Sequence, residues 1–386
     1  MFLHALSSWR RKQRRRYQRR LVQGDALART WPKKCAEFDP RSQLRFIGDT
    51  ETINGLSRAY RYEVRRQILK QGTAHAGSNQ VLILGQPWDY PRLLAEPPDW
   101  FHDAYRIGLW VWELDQFPGD WKFAQKIVHE IWTPSSFSAK ALRRGTDLPI
   151  RVVPHAVDCP EVSPLSRAEF GVREDQFLGL AIMDLAACPD RKNPLAHVRA
   201  WTLAFGHDTS SHLLMKVRFK KNTTFARREL LREIGNTKNI TLVEQVFSDR
   251  DMAAFQRMAD VYLSLHRAEG YGLNIHEMLE LGVPTLATAW SGNMDYMERY
   301  PHSVPVPYRL VPYKDRTFAY QGTDLAWAEP DIKFSAGALR EVRARWQEKR
   351  ASTMTSGDPS DLPRNVMYAS RGNSATSPNI NQGLTA

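Results

Sequence analysis

Cysteine is scarce in this chain: there are three, Cys35, Cys159 and Cys188, odd in number and far apart. No C-x-x-C spacing occurs, so neither a zinc clip nor a redox pair is expected, and the thiols read as bystanders in a reducing compartment. Long apolar runs are missing too, and nothing approaches the roughly 18 residues that a membrane-spanning helix needs. The opening Met1-Phe2-Leu3-His4-Ala5-Leu6 is apolar but short, and charge follows it rather than precedes it, the wrong order for a secretory signal. A cytoplasmic protein is therefore expected.

Acid is absent from residues 1–20, which carry Arg10, Arg11, Lys12, Arg14, Arg15, Arg16, Arg19 and Arg20. Most of the net charge of +12 thus belongs to a leader, residues 1–38, expected to be partly disordered. Such a block suits an anionic lipid surface, with Phe2, Leu3, Leu6 and Trp9 as anchors, so peripheral contact with the inner membrane face through residues 10–20 is one expectation. A solvated leader with no partner is the plain alternative, and no nucleic acid is expected.

What is present is ordinary for a soluble globular protein, 42% hydrophobic and 25% charged. The length exceeds what one core usually organises, so two domains are expected. Short apolar runs alternate with helical patterns, which argues for parallel βαβ units. The expected strands are Leu44–Ile47, Val81–Leu84, Ile107–Trp112, Glu130–Thr133 and Ile150–Val153, with helices at Ser57–Lys70 and Asp120–His129. A second series follows at Phe177–Met183, Leu213–Val217, Ile240–Val243, Val261–Leu265 and Thr285–Ala287. Pro154, Pro160 and Pro164 interrupt the pattern between them. The boundaries read as 39–158, a linker at 159–173, and 174–350. From Ala351 on, Ser, Thr, Asn, Gly and Pro dominate, and disorder is expected. Two successive open sheets leave a cleft between their strand C-termini, where such sheets bind ligands.

The informative stretch runs from Ala259 to Met278. Val261–Leu265 forms a buried strand, Gly270 and Gly272 make a turn, and a helix follows from about Leu273 to Leu281, stopped by Gly282 and Pro284. Such a turn offers backbone N–H groups and the positive end of a helix dipole, which suits a diphosphate. Glu269 precedes the helix and Glu277 lies within it, so the pair can address two ends of an elongated ligand through hydroxyl groups.

From Glu269 to Asn293 the pattern E-G-Y-G-L-x-x-x-E-M-x-x-x-G-x-P-T-L-A-T-x-x-S-G-N resembles the E-x7-E signature of the retaining glycosyltransferase family 4. Trp132-Thr133-Pro134-Ser135-Ser136-Phe137, Val152–Asp158, Arg191-Lys192-Asn193-Pro194 and Ser291–Met297 are similar to further segments of that family, the last to the loop over the nucleotide. The resemblance covers roughly residues 40 to 345.

It implies an α/β fold of the GT-B type, two Rossmann-like domains facing each other across a cleft, with disordered N- and C-terminal tails. It also implies that Glu269 contacts the transferred sugar and supports charge at its anomeric carbon, and that Glu277 holds the ribose. Gly270, Tyr271, Gly272 and Leu273 would surround the donor, with the N–H groups of Gly272 and Leu273 at its phosphates. Lys192 would neutralise the leaving diphosphate, so that Glu269 and Lys192 are the catalytic candidates. The family often carries an arginine after its first donor-domain strand, where this chain reads Met183-Asp184-Leu185. Arg191 or Lys216 is the expected substitute, although Lys216 is equally at home as a plain strand-end lysine.

On the acceptor side the candidates are Gly55, opening a helix as the family's glycine loop does, Glu113 at a strand end, and His155 beside the cleft. Trp110, Trp112 and Trp121 read as core more readily than as sugar platforms. Asp249-Arg250-Asp251 spells D-x-D but follows Ser248 at a helix start, where such residues cap. No metal and no other cofactor is expected. The expected activity is retaining transfer of a hexose, with mannose as first candidate, from a UDP- or GDP-sugar to a glycan or lipid-linked acceptor in cell-surface polysaccharide synthesis. The alternatives are a GT-B nucleotide-sugar epimerase or phosphorylase, and a non-catalytic glycan-binding protein.

Overall fold

The computed structural model describes residues 18–29, 37–39, 42–52, 55–71, 79–158, 160–186, 188–317, 320 and 325–356. Cys35, Cys159, most of the basic leader and the tail beyond residue 356 lie outside these. Strands Arg45–Gly48 (β1), Gln80–Leu84 (β2), Tyr105–Leu109 (β3), Glu130–Thr133 (β4) and Ile150–Val152 (β5) form one parallel sheet in chain order. Residues 18–29 (α1), Gly55–Gln71 (α2), Tyr90–Leu93 (α3) and Ser136–Arg143 (α4) accompany it. Every residue of β2, Gln-Val-Leu-Ile-Leu, is buried, as a strand covered on both faces requires. One face packs on Trp110, Trp121 and Ile131, the other on Tyr60, Ile107 and Trp132.

The second sheet contains Phe177–Asp184 (β6), Ser211–Arg218 (β7), Ile240–Val243 (β8), Val261–Ser264 (β9), Thr285–Thr288 (β10) and Ser303–Val306 (β11), again all parallel. Its order is β11-β10-β9-β6-β7-β8. The chain starts at β6, winds outward to β8, then returns to β9 and winds the other way. This reversal between β6 and β9 is the topological switch point at which open α/β sheets receive ligands. Helices Pro189–Lys192 (α5), Pro194–Phe205 (α6), Thr224–Ile234 (α7), Asp249–Arg257 (α8), Leu273–Glu280 (α9), Met294–Met297 (α10) and Ile332–Ser356 (α11) complete this half. An antiparallel pair, Tyr308–Pro312 (β12) with Ala326–Pro330 (β13), lies between β11 and α11 in the chain.

The ten expected strands all form, most within a residue or two of the expected ends. β3 is an exception, stopping at Leu109, so that Trp110 and Trp112 follow the strand and turn into the core. The helix expected at Asp120–His129 is instead a 3-10 run, Gly119–Lys126. β11, β12 and β13 carry Pro305, Pro312 and Pro330, a poor strand signal. α11 continues past residue 350 to Ser356, and α1 lies within the leader, packing Ala28 into the first core.

The two halves share an apolar seam. Tyr320, Leu325 and Trp327 from the chain around β12 and β13, with Cys188 and Ala268, join the cluster built on β2 and the Trp110 region. Trp112 and Tyr320 meet edge to face at 5.2 Å. On another side, α2 presents Arg58 and Arg61 to the second half, while Arg65 stays within the first. Arg61 forks onto Asp249 at 2.8–3.0 Å, and Arg65 reaches Asp158 at 2.5 Å.

Candidate active site

A cavity of about 890 Å3 lies where the C-terminal ends of both sheets meet. Its C-terminal wall starts at the corner after β9. Gly272 adopts φ +84°, a left-handed conformation that glycine takes without strain, and from it α9 begins with its first N–H groups unpaired within the helix. Gly270 sits so close to the other half that a Cβ would strike Val111. Ser135 and Ser138 of the α4 cap region both donate to Gly270 O, at 2.5 and 3.3 Å. Gly270, Tyr271, Gly272 and Leu273 all line the cavity.

Glu269 is gripped from several directions. Its carboxylate bonds Lys192 Nζ and lies 3.2 Å from Arg191 Nη1, and its backbone N–H donates to Ser291 Oγ at 2.8 Å. The cations arrive on α5, a single turn opened by Pro189 and closed by Asn193 in the left-handed region. Arg267, after β9, donates its N–H to Arg191 O at 2.8 Å and its guanidinium to Asp190 O, which ties α5 beside the glutamate. Burial alone would raise the Glu269 carboxyl, but the Lys192 and Arg191 charges overcome it and hold the group down at about 2. It is a permanent anion at any working pH.

Arg191 also bridges to the other half. Its Nη2 lies 3.3 Å from Glu113 Oε1, so one buried guanidinium joins two cavity carboxylates. Burial raises the Glu113 carboxyl, and Arg191 opposes this. Gly55 at the start of α2 and His155 line the cavity as well. Burial, with Arg66 and His276, pushes the His155 imidazole down to about 3, so it is neutral.

Two expected residues stand elsewhere. Lys216 is not on the wall: its ammonium donates to Gln245 O at 2.6 Å and lies 4.9 Å from the Phe247 ring centre. Arg218 is, two residues along the same face of β7 and so nearer the edge where ligands bind, beside Lys220 and Lys221. Arg218 pairs with Asp184, its register partner on β6. The cation on the cavity wall beside the end of β6 thus stands on the neighbouring strand, a placement readable from the two-residue spacing.

Glu277 stands back from the cavity. It is 4% exposed, behind the wall, bonded to Arg58 at 2.8 Å and to Gln256 at 2.7 Å, and its Oε1 has no partner among the described residues. Arg58 and Asn274, themselves 2.6 Å apart, face the cavity in front of it.

Further differences follow. Ser291–Met297 docks on the first half, Asp295 accepting the Ser136 N–H at 2.6 Å, so it braces the two halves rather than covering the cavity. Ser291 holds φ +80°, rare for a residue with a side chain, directly under Glu269. Asp249 and Asp251 are off the wall, with Ser248 capping α8 as expected. Trp110, Trp112 and Trp121 are core, and the half-buried Trp88 is the tryptophan on the wall.

The walls differ in charge. The C-terminal wall carries Arg191, Lys192, Arg218, Lys220 and Lys221 against Asp184 and Glu269. The N-terminal wall carries Arg20, Arg58 and Arg92 against Asp49, Asp89, Glu113 and Asp120. Among the described residues no helix is long and apolar enough to cross a membrane.

No protein-family model and no curated protein matches the chain. Among solved structures it is similar to the sucrose-phosphate synthase of Thermosynechococcus elongatus, at a TM-score of 0.50 and 15% identity over 75% of this chain and 68% of that one. It is also similar to a trehalose-6-phosphate synthase, at 0.45 and 10% over 65% of each chain. A third likeness is to S. aureus TarM, at 0.45 and 12% over 68% of this chain and 48% of that one. The chain thus spans between about half and two thirds of these proteins. At such identity the likeness establishes the fold alone: this is a GT-B arrangement, two Rossmann-like domains facing each other across a cleft.

Proposed function

We propose that the chain is a retaining glycosyltransferase that moves a hexose from a UDP- or GDP-sugar to a hydroxyl of a glycan or lipid-linked acceptor. One observation carries the reading: at the switch point of the second sheet, an anionic Glu269 sits beside Lys192 and an open helix N-terminus, facing a cavity shared with the first sheet. The GT-B fold and the resemblance to glycosyltransferase family 4 support it.

In this reading the α9 N–H groups and Lys192 receive the diphosphate, with Arg218, Lys220 and Lys221 adding positive potential. Preorganised charge of this kind is worth most where negative charge develops on the leaving group. Glu269 supports the opposite charge growing at the anomeric carbon, and Ser291 and Arg191 hold it in place. Retention then follows from attack on the face the phosphate leaves, with the phosphate taking the acceptor proton. The ribose meets Asn274 and Arg58 first, with Glu277 behind them. Residues 10–20 would bring the enzyme to an anionic inner membrane surface, consistent with cell-surface polysaccharide synthesis.

Calorimetry with UDP and GDP, followed by NMR of the product anomer, tests this. Binding of one nucleotide and an anomer of unchanged configuration are expected. Free sugar plus nucleotide without acceptor marks an epimerase instead, and no nucleotide binding ends the reading.

A further inference from the structure

The N-terminal wall differs from its opposite in more than net charge, because each of its cations already faces an acid. Arg58 is held by Glu277, Arg92 lies 3.8 Å from Asp49, and the Arg20 charge acts on both Asp89 and Asp120. The charge of each of these three cations is thus balanced at least in part by an acid on or behind this wall. The acids themselves differ. Asp49 is occupied by Thr52, accepting its N–H at 3.0 Å and its hydroxyl at 2.7 Å. Asp89 and Asp120 have no side-chain hydrogen-bond partner among the described residues; backbone N–H groups of Gln86 and of Asp120 itself stabilise them, against burial that raises both carboxyls. An ionised carboxylate has about four acceptor positions, so both retain capacity on the cavity side.

Trp88, Leu93 and Val111 are apolar residues of the same wall, and the Arg20 guanidinium lies 5.9 Å from the centre of the Trp88 ring. Trp88 is fixed edge to face against Trp121 at 5.3 Å. A sugar ring has the complementary surface: hydroxyl donors around its rim and a C–H face that prefers apolar contact. Glu113 lies at the inner end, joined to Glu269 through Arg191, and so marks the side nearest the transfer.

Resting on the transferase reading, we propose that this wall binds the acceptor through an uncharged sugar unit. Its hydroxyls are donated to Asp89 and Asp120, its C–H face lies on Trp88 and Leu93, and the wall rejects the same unit when it carries a phosphate. Like-charge juxtaposition in a partly enclosed site is what separates the two.

The full chain is first saturated with whichever of UDP or GDP binds, then titrated with maltose, cellobiose, methyl α-mannoside and glucose 6-phosphate, followed by saturation-transfer NMR. At least one neutral sugar should bind, with glucose 6-phosphate weaker by about tenfold or more. Asp89→Asn with Asp120→Asn should weaken the neutral sugar about tenfold and narrow the gap to the phosphate, while nucleotide affinity, which also reports folding, stays within about twofold. Trp88→Leu should weaken both sugars alike. Glucose 6-phosphate binding as well as the neutral sugars, no neutral sugar binding, or unchanged affinity in the double variant overturns the proposal. A wild-type chain that binds neither nucleotide fails at the earlier step, on the other wall.

Discussion

Glu269 and Glu277 leave the same strand-to-helix corner eight residues apart, yet their surroundings push them in opposite directions. Both are desolvated. For Glu269, two cations of its own half, Lys192 and Arg191, overcome burial and hold the carboxyl at about 2. For Glu277, burial prevails over a single cation, Arg58, and the carboxyl is raised. The first faces a cavity, and the second faces the other half of the molecule. One motif thus places one carboxylate at the cavity and its twin at the joint between the halves.

The sharpest way to break that comparison is to neutralise each member. Glu269→Gln should lower turnover by about 10³-fold or more with little change in melting temperature, since it removes a charge felt mainly in the transition state. Nucleotide release with near-wild-type turnover would withdraw Glu269 from the reaction.

Arg58→Met should behave differently, destabilising by about 3 kcal/mol because it leaves the buried Glu277 without its counter-ion, with Gln256 alone beside it. Urea unfolding checks this. The double variant Arg58→Met, Glu277→Leu should recover most of the loss, and a failure to recover would show that the pair does more than compensate its own burial.

Acid sharpens the same contrast through the histidines. Burial first of all pushes His155 down to about 3 and His197 to about 4, from 6.5. Below about 6.5 the unfolded chain takes up protons that the folded one refuses. Their contribution is thus fully present above that pH and declines as pH falls toward the folded values, by about 2 kcal/mol each at pH 5. A melting temperature flat from pH 7 to 5 would contradict their burial. Smallest should be Arg61→Ala, under about 1 kcal/mol and shrinking with added salt, because that pair is solvent-exposed in part.

Much of this was legible in advance. The ten parallel strands announce themselves as short apolar runs, and the Gly270–Leu273 corner reads as an anion site because strand, glycine and helix follow in order. Contacts made across the chain were not legible. Nothing in Leu56-Ser57-Arg58 says that its arginine will cross to Glu277, and nothing in Ser291–Met297 says that it will meet Ser136. Trp88 was hidden behind more conspicuous tryptophans, which the end of β3 at Leu109 sends inward. The proline-bearing β11 and β12 escaped because their strand character depends on edge positions, where a missing N–H is tolerated.

The seam through Tyr320, Leu325 and Trp327 limits how the cleft can widen. Parting the halves there would hydrate aromatic surface at roughly 25 cal/mol per Å2, whereas on α2 the part-exposed Arg61–Asp249 contact exchanges one polar partner for water, with the buried Arg58–Glu277 pair resisting beside it. The easier motion is a swing that keeps the aromatic side shut and lifts the arginine side, like a book opened away from its spine. Under the proposed function, admission of a donor and release of the spent nucleotide would belong to the arginine edge, and changes in ionic strength should be felt there first.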